Sequence, residues 1–126
     1  MSQQPLKIMV IDDENIVGKR LKPALEKTGD IVETFEEGEK ALARFDETPF
    51  DIVVTDIRMD KIDGIEILER ILDKSARTKV IIITGYATIE IAREALSKGA
   101  FDFIAKPFKP ADLRLIIERA SKELRS

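Results

Sequence analysis

The sequence predicts an α/β protein with a doubly wound sheet of five parallel strands. Two observations support this fold class. Five short apolar segments alternate with five amphipathic stretches, and the centres of the apolar segments, such as Ile8–Ile11 and Val80–Ile83, are continuously hydrophobic. Strands covered by helices on both faces have this composition, whereas half-solvated strands alternate between apolar and polar residues. Repeated β-α units therefore indicate a parallel sheet between two layers of helices.

The strands are predicted from the apolar segments in chain order. They are expected at Leu6–Ile11, Ile31–Phe35, Phe50–Thr55, Lys79–Thr84 and Phe101–Ala105. Each segment is far shorter than the roughly 20 apolar residues that a transmembrane helix needs. They are therefore interpreted as strands of a buried sheet.

The stretches between the strands have the amphipathic pattern of helices that cover a core. They are expected at about 14–28, 37–46, 64–74, 87–98 and 110–124. Gly29 and Gly99 stand where the first and fourth helices should end, and Pro110 suits the first turn of the fifth. The apolar face of the third helix is predicted from the spacing of Ile65, Leu68, Ile71 and Leu72.

Composition narrows the classes of function. The 126 residues are 44% hydrophobic and 36% charged, as in a folded domain, and we assign 1–126 to a single domain. The net charge of −3 argues against a direct nucleic-acid partner. Without cysteine or histidine, the chain cannot form a disulfide, a thiolate metal site or a phosphohistidine. Neither a signal peptide nor a membrane span is recognised, so we expect a cytoplasmic protein without a membrane partner.

Polar residues stand at the ends of four predicted strands. Asp12 and Asp13 follow the first strand, Asp56 follows the third, Thr84 ends the fourth and Lys106 follows the fifth. Sites in open α/β sheets lie beyond the carboxyl ends of the strands. We therefore expect three carboxylates, a hydroxyl and an ammonium group to meet at one rim.

This set of groups suits phosphoryl chemistry. Three clustered carboxylates repel one another unless a cation lies between them. Magnesium is the expected ion, because it binds few carboxylates, keeps several waters and also binds phosphate oxygens. An aspartate carboxylate can attack phosphorus to form an acyl phosphate, and Asp56, held by a strand, is the candidate nucleophile. Thr84 and Lys106 could then donate hydrogen bonds to the phosphoryl oxygens.

Each of these residues also has a purely local interpretation. Asp12 and Asp13 could cap the first helix, and Asp56 could begin a turn. Thr84 could be an ordinary strand-end threonine. Lys106 could be a solvated side chain, unless the proline after it orders the loop. Their expected meeting at one rim favours the site over the local interpretations.

Five segments, in order and at matching spacing over essentially the whole chain, resemble the receiver domains of two-component response regulators. They are Val10–Glu14, Asp51–Met59, Asp63–Gly64, Ile83–Ala87 and Lys106–Phe108. Two segments, Thr84–Ala87 and Gly99–Phe108, most resemble receivers of sigma-54-dependent activators of the nitrogen-regulator type. The resemblance implies the flavodoxin-like strand order 2-1-3-4-5.

The resemblance also implies the roles of the acidic residues. Asp56 would be the phosphoacceptor, and the cofactor would be Mg²⁺. Asp13, Asp56 and the backbone carbonyl of Arg58 would be ligands of the ion, with Asp12 bound directly or through water. A sensor histidine kinase would supply the phosphoryl group in trans. The domain would assist its own phosphorylation and dephosphorylation without being an enzyme for an external substrate.

Further residues would pass the signal on. Thr84 and Lys106 would contact the phosphoryl group, and Phe103 matches the switch aromatic that turns inward on activation. The surface formed by the fourth helix, the fifth strand and the fifth helix would then change its partners. These would include a phosphorylation-dependent homodimer and an effector domain or protein, with control of transcription as one output.

Two residues depart from the family pattern. Many members have a proline four residues after the phosphoacceptor, where this chain has Asp60, an additional carboxylate near the expected metal site. Phe103 stands where tyrosine is commoner, so its ring can signal by burial but not through a hydroxyl.

Three other functions compete with the receiver interpretation, and the sequence argues against each. A flavin-binding carrier of the same topology would need a phosphate cradle after the first strand, where this chain has acidic residues. An aspartyl phosphatase would need a second carboxylate as acid and base, and usually a cap over its substrate. A degenerate receiver would act only as an interaction module, although every chemical position here is filled by a competent residue.

Overall fold

A computed structural model of the chain describes residues 4–58, 62–85 and 88–126. The strands are β1 (Lys7–Ile11), β2 (Ile31–Phe35), β3 (Ile52–Asp56), β4 (Lys79–Thr84) and β5 (Asp102–Ala105). The helices are α1 (Asn15–Glu26), α2 (Gly38–Glu47), α3 (Gly64–Lys74), α4 (Ile89–Ser97) and α5 (Pro110–Arg125). All strand pairs are parallel, in the order β2-β1-β3-β4-β5, so the predicted fold class and strand order are confirmed. None of the described helices combines the length and hydropathy required to cross a bilayer.

The central strands are buried on both faces, as their continuously apolar segments predict. Successive residues of a strand point to opposite faces. Met9 and Ile82 accordingly pack in a core with α2, α3 and α4. Their neighbours Ile8 and Ile81 pack in a second core with α1 and α5. Two cores on one sheet explain why these strands lack polar alternation.

The third strand begins and ends later than predicted, at Ile52–Asp56 instead of Phe50–Thr55. Phe50 is buried in the core just before the strand, so hydrophobicity alone cannot separate it from the strand itself. At the other end, Asp56 pairs with Ile83 of β4. The candidate nucleophile is therefore the last residue of a fully buried strand, and its main chain is held by the sheet.

Glycines end two helices as predicted. Gly29 and Gly99 have φ angles of 90° and 103°, in the left-handed region that glycine adopts without a steric penalty. After α4, the Gly99 N–H donates to the Leu96 carbonyl and the Ala100 N–H donates to the Ala95 carbonyl. This pair of bonds is a Schellman motif. The predicted start of α4 at 87 lies outside the described residues.

The apolar face of α3 differs from its prediction. Leu68 and Ile71 are fully buried as expected, but Ile67 is also fully buried, whereas Ile65 and Leu72 are only half-buried. The reason is tertiary: α3 packs against α2 as well as against the sheet. Because α2 covers one side of α3, the buried face of α3 includes Ile67 and differs from the face predicted by the sequence spacing.

Candidate functional site

The carboxyl ends of four neighbouring strands meet at one rim of the sheet. Asp12 follows β1 directly, and Asp56 and Thr84 are the last residues of β3 and β4. Lys106 follows β5, and its backbone N–H donates to the Thr84 carbonyl at 2.8 Å. Parallel pairing in register thus brings together residues that are far apart in the sequence.

The structure brings the three predicted carboxylates together. Asp12, Asp13 and Asp56 each offer an oxygen, and these oxygens all lie within 4.8 Å of one another. Asp12 and Asp56 are only 2% and 5% exposed, whereas Asp13 lies at the surface. A donor set made only of carboxylate oxygens, buried on one side and open on the other, fits a hard divalent cation that keeps some of its waters.

Backbone hydrogen bonds orient the two buried carboxylates. Asp12 Oδ1 accepts from the Glu14 N–H at 2.9 Å, and Asp56 Oδ1 accepts from the Arg58 N–H at 3.1 Å. Each of these hydrogen bonds forms an Asx-turn, in which an aspartate side chain accepts from the N–H two residues later. Glu14, and not Asp12, is the N-cap residue of α1, so the carboxylate of Asp12 does not cap the first turn.

The Lys106 ammonium lies between these carboxylates. Its Nζ is 2.6 Å from Asp56 Oδ2, 2.8 Å from Asp12 Oδ2 and 3.1 Å from Glu14 Oε1. Only 18% of the side chain is exposed, so the interpretation of Lys106 as a solvated lysine is wrong. The peptide bond between Lys106 and Pro107 is cis.

Burial and charge act in opposite directions at this cluster. Burial raises the pKa of the Asp12 carboxyl, and the hydrogen bonds from Lys106 and the Glu14 backbone offset this only in part. Burial alone would lower the pKa of Lys106, but its hydrogen bonds to Asp12 and Asp56 outweigh that effect and raise it. The ammonium is therefore held charged, while the buried Asp12 carboxylate still lacks full compensation.

Comparison with known proteins identifies the family. The response regulator receiver domain family matches residues 8–118. The chain is a response-regulator receiver domain. It is 40% identical over 114 residues to the regulatory protein AtoC of Escherichia coli K12, covering 90% of this chain and 25% of AtoC. The receiver domain thus spans about a quarter of the length of that relative.

Solved receiver structures superimpose closely on this one. A CheY-like receiver from Methanospirillum hungatei JF-1 has a TM-score of 0.92 at 30% identity, covering 97% of this chain and 98% of that one. A beryllofluoride-activated NtrC4 receiver domain, solved as a dimer, has a TM-score of 0.89 at 31% identity, covering 94% and 98%. The family is the phosphoacceptor module of two-component regulators and not a class of enzymes.

Two predicted signalling residues of the receiver domain lie on the neighbouring strands β4 and β5. Thr84 is completely buried at the end of β4. Phe103 is half-buried in β5, where it packs against the core shared by α2, α3 and α4. Its Cα partner in the ladder is Ile82, two residues before Thr84. Thr84 and Phe103 thus lie on adjacent paired strands, two register positions apart.

Gly64 has a structural role that sequence reasoning missed. A Cβ placed on this glycine would lie 2.2 Å from the Asp56 carbonyl oxygen and 2.8 Å from Ile57 Cα. The Gly64 N–H also donates to the Ile57 carbonyl at 2.9 Å. The start of α3 thus lies directly against the backbone of Asp56 and Ile57. The adjacent Asp63–Gly64 pair was the available signal, but its reason is visible only in three dimensions.

Glu14 is the second residue whose role sequence reasoning missed. In the sequence it stands out only as the last residue of the Val10–Glu14 segment, yet its carboxylate joins Asp12 and Asp56 around Lys106. Among the other predicted site residues, Arg58 is exposed and connects to Asp56 through its backbone N–H. Asp60, which was expected near the metal site, lies outside the described residues.

Proposed function

We propose that this receiver domain takes a phosphoryl group from a sensor histidine kinase onto Asp56, with the help of Mg²⁺. One observation carries the proposal. The Asp56 carboxylate stands at the end of a buried strand, 2.6 Å from the Lys106 ammonium and within a cluster of three carboxylates. A nucleophile, a cation-binding set and a donor for phosphoryl oxygens then share one rim.

The acceptor step follows from this arrangement. An Asp56 carboxylate oxygen attacks phosphorus, the bond from phosphorus to the histidine nitrogen of the donor breaks, and the imidazole keeps the electron pair. These 126 residues contain no histidine, so the proposed phosphohistidine lies outside them. Lys106 and the Thr84 hydroxyl then each donate to a phosphoryl oxygen. The domain thereby assists its own phosphorylation, and the same groups would hold the acyl phosphate during its hydrolysis.

The predicted ligands of the ion are Asp12, Asp13, Asp56 and the backbone carbonyl of Arg58. The all-oxygen donor set at the rim supports this assignment. Bound there, Mg²⁺ would neutralise part of the carboxylate charge and bind phosphoryl oxygens. Asp13 is exposed to water, whereas Asp12 and Asp56 are buried and have lost solvation that backbone hydrogen bonds and a bound cation would replace.

The proposal first predicts the effect of Asp13→Asn. The Mg²⁺ concentration that gives half-maximal phosphorylation should rise by at least about tenfold, because losing even an outer-shell partner of a metal ligand typically costs that much. Because Asp13 is exposed, its replacement should leave the fold intact. Phosphorylation by acetyl phosphate, followed by mass spectrometry over a Mg²⁺ series, measures this value.

Asp73→Asn is the matched control for that experiment, since Asp73 is an exposed aspartate on α3. It should leave the Mg²⁺ requirement unchanged. If Asp13→Asn has the same Mg²⁺ dependence as the wild type, Asp13 is not a ligand of the ion.

A second prediction concerns Lys106→Ala. The variant should lose most of its response to phosphorylation, because Lys106 can no longer donate to a phosphoryl oxygen. Its melting temperature in Mg²⁺ should change little, because the bound ion offsets the positive charge that is lost between the carboxylates. Ile82→Ala is the reference for a structural defect, because Ile82 is fully buried and such truncations cost about 2–5 kcal/mol. Thermal denaturation of both variants in Mg²⁺ gives the comparison. A fall in melting temperature as large as that of Ile82→Ala would make Lys106 a structural residue.

The surface beside Lys106 suits the docking of the kinase. A groove of about 400 Å³ lies next to Lys106, and its walls include Val17, Leu21 and Phe108. Ile16, which also lines this groove, is 61% exposed and adds apolar surface that a partner could cover. A protein that presents a phosphohistidine over Asp56 would cover this groove.

The signal is proposed to leave the site through Thr84 and Phe103. A phosphoryl group brings oxygens that need donors, and Thr84 moves toward one of them. This movement vacates space behind β4, so the half-buried ring of Phe103 can turn inward. Ile89 and Leu96 on α4 and Leu115 on α5 are 67%, 49% and 61% exposed. Such exposed apolar side chains on both helices are available to a partner that binds the switched state.

The third prediction is that beryllofluoride, which mimics the phosphoryl group, promotes self-association through α4, β5 and α5. The association constant should rise about fivefold or more, the usual size of such a coupling. Sedimentation with and without beryllofluoride measures it, and amide exchange locates the change. Asp56→Asn should not respond. Exchange that changes only near Asp12, Asp13 and Asp56, and not at Phe103 or α5, would contradict the switch.

The output is proposed from the relatives. AtoC is a regulatory protein, and FixJ of Rhizobium meliloti, which is 36% identical over 117 residues, is a transcriptional regulatory protein. We propose that 1–126 is one receiver domain that controls an effector, with transcription as the favoured output. The proposed location is the cytoplasm, where a histidine kinase can be charged by ATP.

A further inference from the structure

Glu14 stands at the beginning of α1 without acting as its cap. Helix N-caps favour Ser, Thr, Asp and Asn, whose short side chains reach the free N–H groups of the first turn. Glu14 occupies the N-cap position with extended backbone, but its side chain makes no capping hydrogen bond. Its backbone is held on both sides, by the bond from its N–H to Asp12 Oδ1 and by the bond from the Val17 N–H to its carbonyl. The side chain turns to Lys106 instead.

The Lys106 ammonium has three N–H groups and three carboxylate neighbours. The neighbours differ in exposure: the side chains of Asp12 and Asp56 are 1% and 7% exposed, whereas that of Glu14 is 63% exposed. Glu14 is therefore the neighbour on the solvent side of the ammonium. A phosphoryl donor also reaches Asp56 from the solvent side.

Two consequences follow for phosphoryl transfer. Lys106 donates hydrogen bonds to Glu14 and Asp56, and the exposed one to Glu14 is the easier for a phosphoryl oxygen to replace, since exposed ion pairs are weak. The Glu14 carboxylate also repels an incoming anion at close range. Both effects slow the acceptor reaction, and both vanish when the charge at position 14 is removed.

We propose that Glu14 is a positioning residue that holds Lys106 in the unphosphorylated state and releases it when the phosphoryl group arrives. This inference rests on the proposed function of Asp56 and Lys106. It makes Glu14 a brake on phosphorylation. The brake acts through the ion pair with Lys106, and not through the stability of α1.

The test is Glu14→Gln, which keeps the shape of the side chain and removes its charge. With acetyl phosphate and saturating Mg²⁺, the variant should be phosphorylated about three- to tenfold faster at low salt. The difference should shrink in about 1 M salt, because exposed charges are screened there. Glu26→Gln, at the exposed opposite end of the same helix, is the charge-matched control and should behave as the wild type. Circular dichroism of both variants monitors the fold.

A double-mutant cycle separates positioning from a general charge effect. In the Lys106→Ala background, Glu14→Gln should accelerate phosphorylation much less, because only the direct repulsion between Glu14 and the incoming anion is left to relieve. The inference is overturned if Glu14→Gln has the wild-type rate, or if it accelerates the reaction equally without Lys106. If the wild-type chain gains no phosphoryl group on Asp56, it is the proposed function that fails.

Discussion

Asp56→Asn is expected to abolish phosphorylation under conditions that fully phosphorylate the wild-type chain. The asparagine side chain has nearly the same shape, but its amide cannot form an acyl phosphate. The strand that carries residue 56 is completely buried and paired with β4, so the main chain should not move. Intact-mass spectrometry after incubation with phosphoramidate and Mg²⁺ should show one added phosphoryl group on the wild type and none on the variant.

The change of charge should not itself disrupt the fold. Asp56 shares Lys106 with Asp12, so Lys106 keeps a carboxylate partner, and the removal of one of three crowded carboxylates relieves repulsion. Asp73→Asn, on the exposed face of α3, controls for the loss of a negative charge and should be phosphorylated normally. A phosphoryl group that still appears on Asp56→Asn at the wild-type rate would mean that another residue is the acceptor.

Among glycine-to-alanine substitutions near the site, Gly64→Ala is expected to lower the free energy of unfolding the most. The new Cβ would lie 2.2 Å from the Asp56 carbonyl oxygen, and backbone atoms cannot move aside as a flexible side chain can. Either α3 shifts, or the loop after β3 does. Overpacking of this kind costs about 1–3 kcal/mol even where side chains can adjust, so we expect about 3 kcal/mol or more here. Urea denaturation followed by circular dichroism measures the loss.

Gly85→Ala is the matched control for Gly64→Ala. Gly85 follows Thr84 at the same rim, but among the described residues no atom beyond its own chain neighbours lies within 4 Å of a Cβ built on it. It should change the free energy of unfolding by less than about 1 kcal/mol. If Gly64→Ala is as stable as Gly85→Ala, the close approach of α3 to the acceptor backbone is not present in solution.

Much of the fold follows from local patterns in the sequence. Continuous apolar segments such as those of β1 and β4 identify strands buried on both faces, because only such strands lack polar alternation. Gly29 and Gly99 identify helix ends, because their left-handed backbone strongly favours glycine. The apolar segments also predict that Asp12, Asp56 and Lys106 lie at strand ends. Because the carboxyl ends of parallel strands meet at one rim of the sheet, these residues are expected to lie close together.

Contacts between distant segments could not be read from the sequence. That Lys106 binds Glu14 as well as Asp12 and Asp56 depends on the distance between the β5–α5 loop and the start of α1. The need for glycine at 64 likewise depends on how closely α3 approaches β3. Periodicity and residue type describe one segment at a time, and they specify neither the separation nor the rotation of two packed elements. The sequence by itself determined which carboxylates, hydroxyl and ammonium group stand at the strand ends of the rim. The partners of Lys106 and the steric requirement at Gly64 were decided only by the tertiary structure, because both arise from packing between elements.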